Sequence, residues 1–244
     1  MSWEIIFVFL ILFIGSFLQG SSGFGFGLFS MGLLPLVLTV KDSTLLVLSL
    51  TLITSTIIVA KIYKYIELKG LLLILSAALT GRIFSFFFLN LYGEMPFMKK
   101  GLGLFLVCMV IFLLFSKNQA DTSIRMNPIF PIALGFIGGF VGGVFAVGGP
   151  FFVFYFLMLY EEKHRYNANL QTTFVFTSIL TLTLHGFHGD FSSSFILYFL
   201  FGAVSVFLGS NIGLKWFEKL PREQIKRYAS FVILFAGLNL ILFT

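Results

Sequence analysis

Apolar residues dominate the chain, and charged residues divide it into eight long apolar stretches. Six of these are about as long as the roughly 20 residues that a helix needs to cross a bilayer. The first and the fifth are much longer, and glycine interrupts each near its middle. We therefore predict an all-α polytopic membrane protein in which these two fold back as broken, re-entrant hairpins. The stretches run from Trp3 to Val40, Ser43 to Val59, Gly70 to Leu91, Gly101 to Phe115, Pro128 to Tyr160, Asn167 to Phe187, Ser192 to Leu214 and Tyr228 to Phe243.

The second half of the chain repeats the pattern of the first at a constant spacing. Each half contains one long stretch and three simple crossings, and an odd number of crossings inverts the second repeat relative to the first. We predict two membrane repeats, residues 1–120 and 121–244. The aligned positions are Gly15 with Gly138, Gly20 with Gly143, Gly25 with Gly148, Lys41-Asp42 with His164-Arg165, and Thr54-Ser55 with Thr177-Ser178.

The basic residues predict the orientation. If both long stretches fold back, twelve Lys and Arg face one compartment and three the other, whereas single crossings would divide them ten against five. Since Lys and Arg accumulate in cytoplasmic loops, folding back is favoured, with both termini external to a bacterial inner membrane. The first stretch lacks a basic start and a cleavage site, so we expect it to be retained. The twelve are Lys61, Lys64, Lys69, Lys117, Arg125, Lys163, Arg165, Lys215, Lys219, Arg222, Lys226 and Arg227, and the three are Lys41, Lys99 and Lys100.

Composition excludes a soluble globule, because 58% of the residues are hydrophobic, 11% are charged and the mean hydropathy is +1.02. In a membrane protein, the net charge of +6 indicates cytoplasmic loops rather than nucleic-acid binding. The single cysteine, Cys108, cannot form an intramolecular disulfide or a thiolate metal site. We predict no cofactor and no metal, and the sequence does not indicate an oligomeric state.

Glycine is dense in the middle of both long stretches, at Gly15–Leu28 (GSFLQGSSGFGFGL) and at Gly135–Phe152 (GFIGGFVGGVFAVGGPFF). Such a break exposes backbone amides, which a membrane tolerates only inside protein or beside a wet cavity. New helices can start at Phe24 to Gly27 and at Pro150. Two helix N-termini facing each other would favour an anion. The alternative is that the glycines serve only close helix packing.

This duplicated motif, ending in GFGFG in the first half and GVFAVGGP in the second, resembles the TauE/SafE family of sulfite and organosulfonate exporters over nearly the whole chain. The resemblance implies transport of a small anion such as sulfite, thiosulfate, an organosulfonate or a related carboxylate. It also implies that the protein is not an enzyme. The first repeat lacks the proline that follows the glycines in the second, so the two breaks need not be equivalent.

The candidate binding residues are the two breaks and nearby polar side chains. Arg82 is the ionisable residue deep inside a crossing and has no carboxylate in its own segment, so an anion is a suitable partner. The alternative is an arginine bonded to carbonyl groups of a broken helix. Uncharged donors suit a permeating anion, although Ser and Thr in membrane helices often bond their own backbone. The predicted substrate-binding residues are Gln19, Ser21, Ser22, Gly23, Gly25, Arg82, Gly148, Gly149, Gln171 and Thr172.

The segment LHGFHGD, with His185, His188 and Asp190, ends the sixth stretch on the predicted external side. The histidine spacing permits a shared helical face, and titration near neutrality would suit proton coupling. The other interpretation is a set of interfacial polar residues. The sequence leaves open their role, the direction of transport, and whether a proton or a sodium ion is coupled.

Two other functions stay open from the sequence. A passive anion channel would show the same composition. Gly20-Ser21-Ser22-Gly23 also matches the GxSG pattern of rhomboid-like intramembrane serine proteases, with His185 or His188 as the base.

Overall fold

The structure, a computed structural model, describes residues 2–115, 128–216 and 222–242. These residues form ten α-helices and contain no strand, which confirms the predicted all-α class. Short 3-10 turns at Leu34–Leu36 and Tyr63–Tyr65 follow the second and third helices. The helices are α1 (Ser2–Ser22), α2 (Phe26–Leu33), α3 (Val40–Ile62), α4 (Leu68–Tyr92), α5 (Phe97–Phe115), α6 (Ile129–Phe145), α7 (Gly149–Leu159), α8 (Lys163–His188), α9 (Phe195–Trp216) and α10 (Arg222–Leu242).

Within the described part of the chain, four helical spans are long and apolar enough to cross a membrane: Trp3–Ser22, Val40–Tyr65, Leu68–Tyr92 and Phe195–Trp216. The 26-residue α8 is not among them because it carries many Asn, Gln, Ser and Thr side chains. Most of these polar side chains are buried inside the bundle, where lipid does not reach them. The fold is that of a multi-pass membrane protein with one polar helix at its centre.

Each long apolar stretch folds back on itself. In the first, α2 packs against α1, and a Cβ atom added to Gly15 would lie 2.8 Å from the Ser30 hydroxyl. In the fifth, α7 packs against α6, and a Cβ atom on Gly138 would lie 3.0 Å from the side chains of Phe151 and Phe152. Glycine allows this approach because it has no side chain. Both long stretches are therefore broken helical hairpins.

The helices pair in a pattern that survives exchange of the two halves. Helix α1 runs parallel to α9 along its whole length, and α4 runs parallel to α6 in the same way. Helix α3 pairs with α8, and α5 pairs with α10. If α1 to α5 are exchanged in order with α6 to α10, the pair of α1 with α9 becomes the pair of α6 with α4, and the other two pairs map onto themselves. An inverted repeat accounts for this pattern. The predicted boundary between residues 120 and 121 lies outside the described residues, and the division stays a prediction.

Two ion pairs mark the ends of the bundle. At the end that we call the Lys41 end, Lys41 at the start of α3 meets Asp190 just beyond α8. At the opposite Arg165 end, Arg165 at the start of α8 meets Glu67 just before α4. Both α1 and α9 begin at the Lys41 end, and α10 finishes there because it runs antiparallel to α5.

The basic side chains are distributed unequally between these ends. The described ones at the Arg165 end are Lys61, Lys64, Lys69, Lys163, Arg165 and Lys215, and those at the Lys41 end are Lys41, Lys99 and Lys100. This division agrees with the predicted charge asymmetry. The side chains of Lys117, Arg125, Lys219, Arg222, Lys226 and Arg227 lie outside the described part. That the Arg165 end faces the cytoplasm remains a prediction.

Candidate functional site

The two helix breaks lie against each other. The first separates α1 from α2, and the second separates α6 from α7. A Cβ atom added to Gly27, in the first turn of α2, would lie 2.0 Å from the Ala146 carbonyl oxygen in the second break. Only glycine fits at this contact, which brings the backbones of the two hairpins together.

Local bonds explain where the first helix ends. The Gly23 amide donates to the Gln19 carbonyl at 2.7 Å, and the Ser22 hydroxyl lies 2.7 Å from the carbonyl oxygens of both Leu18 and Phe24. Gly25 then has a φ of +111°, in the left-handed region that favours glycine. After this turn, α2 runs back along α1.

A cavity lies between the breaks and is also lined by residues of α3, α4 and α8. It has a volume of about 30 Å³, which is room for ordered water. The described residues that line it are Gln19, Gly25, Gly27, Leu28, Leu48, Thr51, Arg82, Ala146, Val147, Gly148, Gly149, Pro150, Phe174 and Ser178.

Both second helices begin at this cavity. Gly25 precedes the first residue of α2, Gly148 precedes that of α7, and both glycines line the cavity. Amides in the first turn of a helix have no partner within the helix, and the aligned peptide dipoles place a partial positive charge there. Pro150 removes one amide donor from α7. The cavity therefore lies between two sources of positive potential.

Arg82 brings a full positive charge to the same cavity. It lies on α4 and is 2% exposed. Its Nη1 atom donates to the Gly142 carbonyl at 2.6 Å and lies 3.5 Å from the Thr181 hydroxyl, while its buried Nε atom has no hydrogen-bond partner among the described residues. Gly142 belongs to the last turn of α6, whose carbonyl groups lack partners within the helix. The guanidinium thus stabilises the broken helix and also keeps one donor unpaired.

No acidic side chain is among the described residues that line the cavity. An arginine buried in a membrane protein usually pairs with a carboxylate or a carbonyl group. Here one carbonyl is present and a carboxylate is not. The electrostatics of the cavity therefore favour a negative ligand.

Two glutamines connect the first break to α3 and α8. The Gln19 side-chain amide donates to the Ser55 hydroxyl and to Oε1 of Gln171, both at 3.0 Å. The Gln171 amide donates in turn to the Gly23 carbonyl at 2.6 Å and to Oδ1 of Asn167 at 2.9 Å. This buried network fixes the position of the break relative to the two central helices.

The structure brings only some of the predicted binding residues to the cavity. Gln171 and Gly23 belong to the glutamine network just described. The hydroxyls of Ser21, Ser22 and Thr172 donate to carbonyl groups within three or four residues of their own helix. The predicted residues that line the cavity are Gln19, Gly25, Arg82, Gly148 and Gly149, and those that do not are Ser21, Ser22, Gly23, Gln171 and Thr172.

The sequence prediction missed the walls of the cavity. Leu48 and Thr51 of α3 face it, as do Phe174 and Ser178 of α8. Thr51 and Phe174 occupy aligned positions in the two halves of the chain. The repeat could have indicated this pair, because an inverted repeat brings aligned residues to opposite sides of its axis.

Asp190 holds a second polar cluster at the Lys41 end. Its carboxylate accepts from Lys41 Nζ at 2.7 Å and lies 2.6 Å from Nδ1 of His185 and 2.9 Å from Nδ1 of His188. Burial alone would raise the pKa of this carboxyl, but the hydrogen bonds with Lys41, His188 and His185 outweigh it and lower the pKa to about 2. We call these four residues the Asp190 cluster.

The protease interpretation needs Ser21 or Ser22 beside a histidine. Gly23 follows these serines and lies against Asn167 in the first turns of α8, whereas His185 is in its last turn. At 1.5 Å per residue, Asn167 and His185 are about 27 Å apart along the helix. Ser21 and Ser22 therefore lie near the opposite end of α8 from His185 and His188, too far apart for proton transfer.

Residues 7–240 match the protein-family model described as "Sulfite exporter TauE/SafE". Among curated proteins and among solved structures, no match to the chain is found. The family match covers both breaks, Arg82 and the Asp190 cluster.

Proposed function

The chain belongs to the sulfite exporter TauE/SafE family, and from this premise we propose that it moves a small oxyanion across the cell membrane by binding it between the two helix breaks. Sulfite is the first candidate, and thiosulfate, organosulfonates and related carboxylates share the same chemistry. The protein acts as a secondary transporter and not as an enzyme.

The observation that carries this proposal is the set of donors around the cavity. Arg82, whose Nε has no partner among the described residues, and the first turns of α2 and α7 line a space whose described lining contains no carboxylate. Donors of this kind prefer an oxyanion, because each of its oxygens can accept a charge-assisted hydrogen bond. Close helix packing explains the glycines but not an unpaired buried guanidinium nitrogen.

The contact between the two breaks favours a transporter over a channel. A channel needs a continuous water-filled path, whereas the backbones of the two hairpins meet where Gly27 lies against Ala146. In alternating access, movement of the hairpins opens this contact and admits the anion.

Ligand-induced stabilisation tests the proposal. Purified wild-type protein is heated with sulfite, thiosulfate, sulfoacetate, taurine, acetate or chloride at equal ionic strength. A ligand that binds the folded state at about 100 times its Kd adds about 2.7 kcal/mol to the unfolding free energy. We expect sulfite or a sulfonate to raise the melting temperature and chloride to leave it unchanged; equal effects of all anions would contradict a built site.

Flux into liposomes separates the transporter from the channel. Protein is reconstituted with unlabelled sulfite inside, and labelled sulfite is added outside at a lower concentration. A transporter accumulates label transiently by exchange, even when the membrane potential is clamped at zero. Entry of label that never exceeds equilibrium would favour the channel.

A further inference from the structure

His185 is fully buried in the last turn of α8, with an exposed fraction of 0%. Its Nδ1 atom lies 2.6 Å from Oδ2 of Asp190, and its ring packs edge-on against Phe86 with the centroids 4.9 Å apart. The other ring nitrogen, Nε2, is buried and has no hydrogen-bond partner among the described residues. A buried polar atom without a partner destabilises the folded state, so its retention calls for an explanation.

The Asp190 cluster determines which nitrogen of His185 carries the proton. The pKa of the Asp190 carboxyl is about 2, so near neutrality it is ionised and can only accept hydrogen bonds. Nδ1 of His185 must then be the donor. In the neutral ring this leaves a free lone pair on Nε2, on the side of the ring away from Asp190.

A line of buried polar groups leads from His185 to the cavity. Thr181 lies four residues before His185, on the same face of α8, and is fully buried. Its hydroxyl lies 3.5 Å from Nη1 of Arg82, and Ser178, one further turn along α8, lines the cavity with a hydroxyl that has no partner among the described residues. His185, Thr181 and Ser178 therefore lie along one buried polar face of α8 that reaches the proposed anion site.

Resting on the proposed function, we propose that His185 is a proton-binding site whose protonation strengthens anion binding beside Arg82. The proton comes from water and forms a bond to Nε2, while the other ring proton stays on Nδ1, hydrogen-bonded to the Asp190 carboxylate. The resulting imidazolium on α8 adds a second positive charge to that of Arg82 on α4, and both charges attract the anion. On release, the N–H bond at Nε2 breaks and the proton returns to water.

The charged groups around His185 are compatible with this role. On α8 it neighbours His188, from the segment after α8 it faces Asp190, and from α3 it faces Lys41. On α4, Arg82 lies beside Thr181, one turn before His185. Burial, Lys41 and His188 oppose protonation, and the Asp190 carboxylate supports it. An arriving anion offsets Arg82, so anion and proton favour each other's binding.

Sulfite affinity at two pH values tests the inference. The dissociation constant is measured for wild type and for His185→Gln at about pH 5.5 and about pH 8, on either side of the ordinary histidine pKa. Their ratio at each pH cancels the titration of sulfite itself. We expect equal affinities at the higher pH and about tenfold weaker binding by His185→Gln at the lower pH. A ratio that does not change with pH would overturn the inference.

His188→Gln is the matched control, because His188 contacts the same carboxylate but its side chain is 58% exposed. It should keep the wild-type pH dependence, and loss of that dependence in this variant would contradict the assignment to His185. Wild-type protein that binds sulfite at neither pH would refute the proposed function itself, which is a different result.

A measurement on wild-type protein tests the inference without requiring that the His185→Gln variant folds. The chain has three histidines, and nitrogen-15 labelling of this residue type gives few signals to follow. We expect one of them to titrate at a higher pH in sulfite than in chloride. If all three titrate identically in the two salts, no histidine is linked to anion binding and the inference is wrong.

Discussion

Oδ1 of Asp190 accepts a hydrogen bond from Nζ of Lys41 at 2.7 Å, and this ion pair joins the two halves of the chain at the Lys41 end. Arg165 and Glu67 make a corresponding link at the opposite end. The side chains of the first pair are 14% and 5% exposed, against 51% and 39% for the second. Water and salt screen exposed pairs, whereas removal of one partner from a buried pair strands a charge. The two links should therefore differ in strength.

Asp190→Asn should lower the free energy of unfolding at neutral pH by about 1–3 kcal/mol, because Lys41 and His185 lose their ionised partner. The matched variant Glu67→Gln should cost less than about 1 kcal/mol. Thermal unfolding in one detergent measures both. Equal losses in the two variants would show that burial does not distinguish the links.

The contribution of Asp190 should also depend on pH in a defined direction. Its pKa is lowered to about 2 in the folded protein, from about 3.9 for an unperturbed aspartate. The stabilisation is therefore complete above about pH 4 and is lost as the pH falls through about 2. The difference in melting temperature between wild type and Asp190→Asn should close over this window. A difference that stays constant down to about pH 2 would contradict the assigned ionisation.

Replacement of Arg82 should affect the ligand more than the fold. We expect Arg82→Gln to weaken sulfite binding by about 1.5–3 kcal/mol, or roughly 10- to 150-fold, because a charge-assisted hydrogen bond is lost. Arg82→Lys keeps the charge and should retain part of the affinity. Titration of folded, monodisperse protein gives both values. Unchanged affinity in Arg82→Gln would show that Arg82 does not contact the anion and only supports the fold through its bond to the Gly142 carbonyl.

Two glycines that line the cavity provide a matched pair of alanine variants. A Cβ atom on Gly27 would meet the Ala146 carbonyl oxygen at 2.0 Å, whereas one on Gly149 has its nearest contact at 3.5 Å, with Phe174. Gly27→Ala should force the two breaks apart and lower the yield of folded protein. Gly149→Ala should fold and weaken anion binding, because the added methyl group narrows the cavity. Folded yield and sulfite affinity measure the two effects, and equal yields of the variants would contradict the contact.

Both termini are predicted to lie outside the cytoplasm, with residues 161–166 and 215–227 facing it. Single cysteines on a Cys108→Ser background can be tested with an impermeant thiol reagent on intact cells. A cysteine at Ser2 should be labelled and one at Lys163 should not. Labelling of Lys163→Cys but not of Ser2→Cys would reverse the assigned orientation.

Sequence patterns anticipated the helices well but only part of the candidate site. The hairpins were predictable because an apolar stretch too long for one crossing must fold back, and glycines such as Gly23 and Gly25 allow the left-handed backbone at the turn. The helices extend beyond the apolar runs, as α8 does at Lys163, because helix ends reach into water and carry charge. The part that glutamine plays in the network was not predictable. Gln171 bonds Gly23, and that contact depends on how α8 packs against the break.

The cavity walls were missed for a related reason. Thr51 and Phe174 are ordinary residues for an apolar helix, and only the crossing of α3 with α8 brings them to the breaks. Position in three dimensions, and not residue type, makes them candidates. Arg82 was recognisable from sequence because a lone charge in an apolar run is costly whatever surrounds it.

Because Gly27 lies against Ala146, the two breaks present mainly backbone to the cavity, and side chains of α3 and α8 form its side walls. Backbone amides attract negative charge whichever anion carries it. We therefore expect Leu48, Thr51, Phe174 and Ser178 to determine which anion is preferred. Engineering of a different cargo preference should therefore begin on α3 and α8, and leave the breaks untouched.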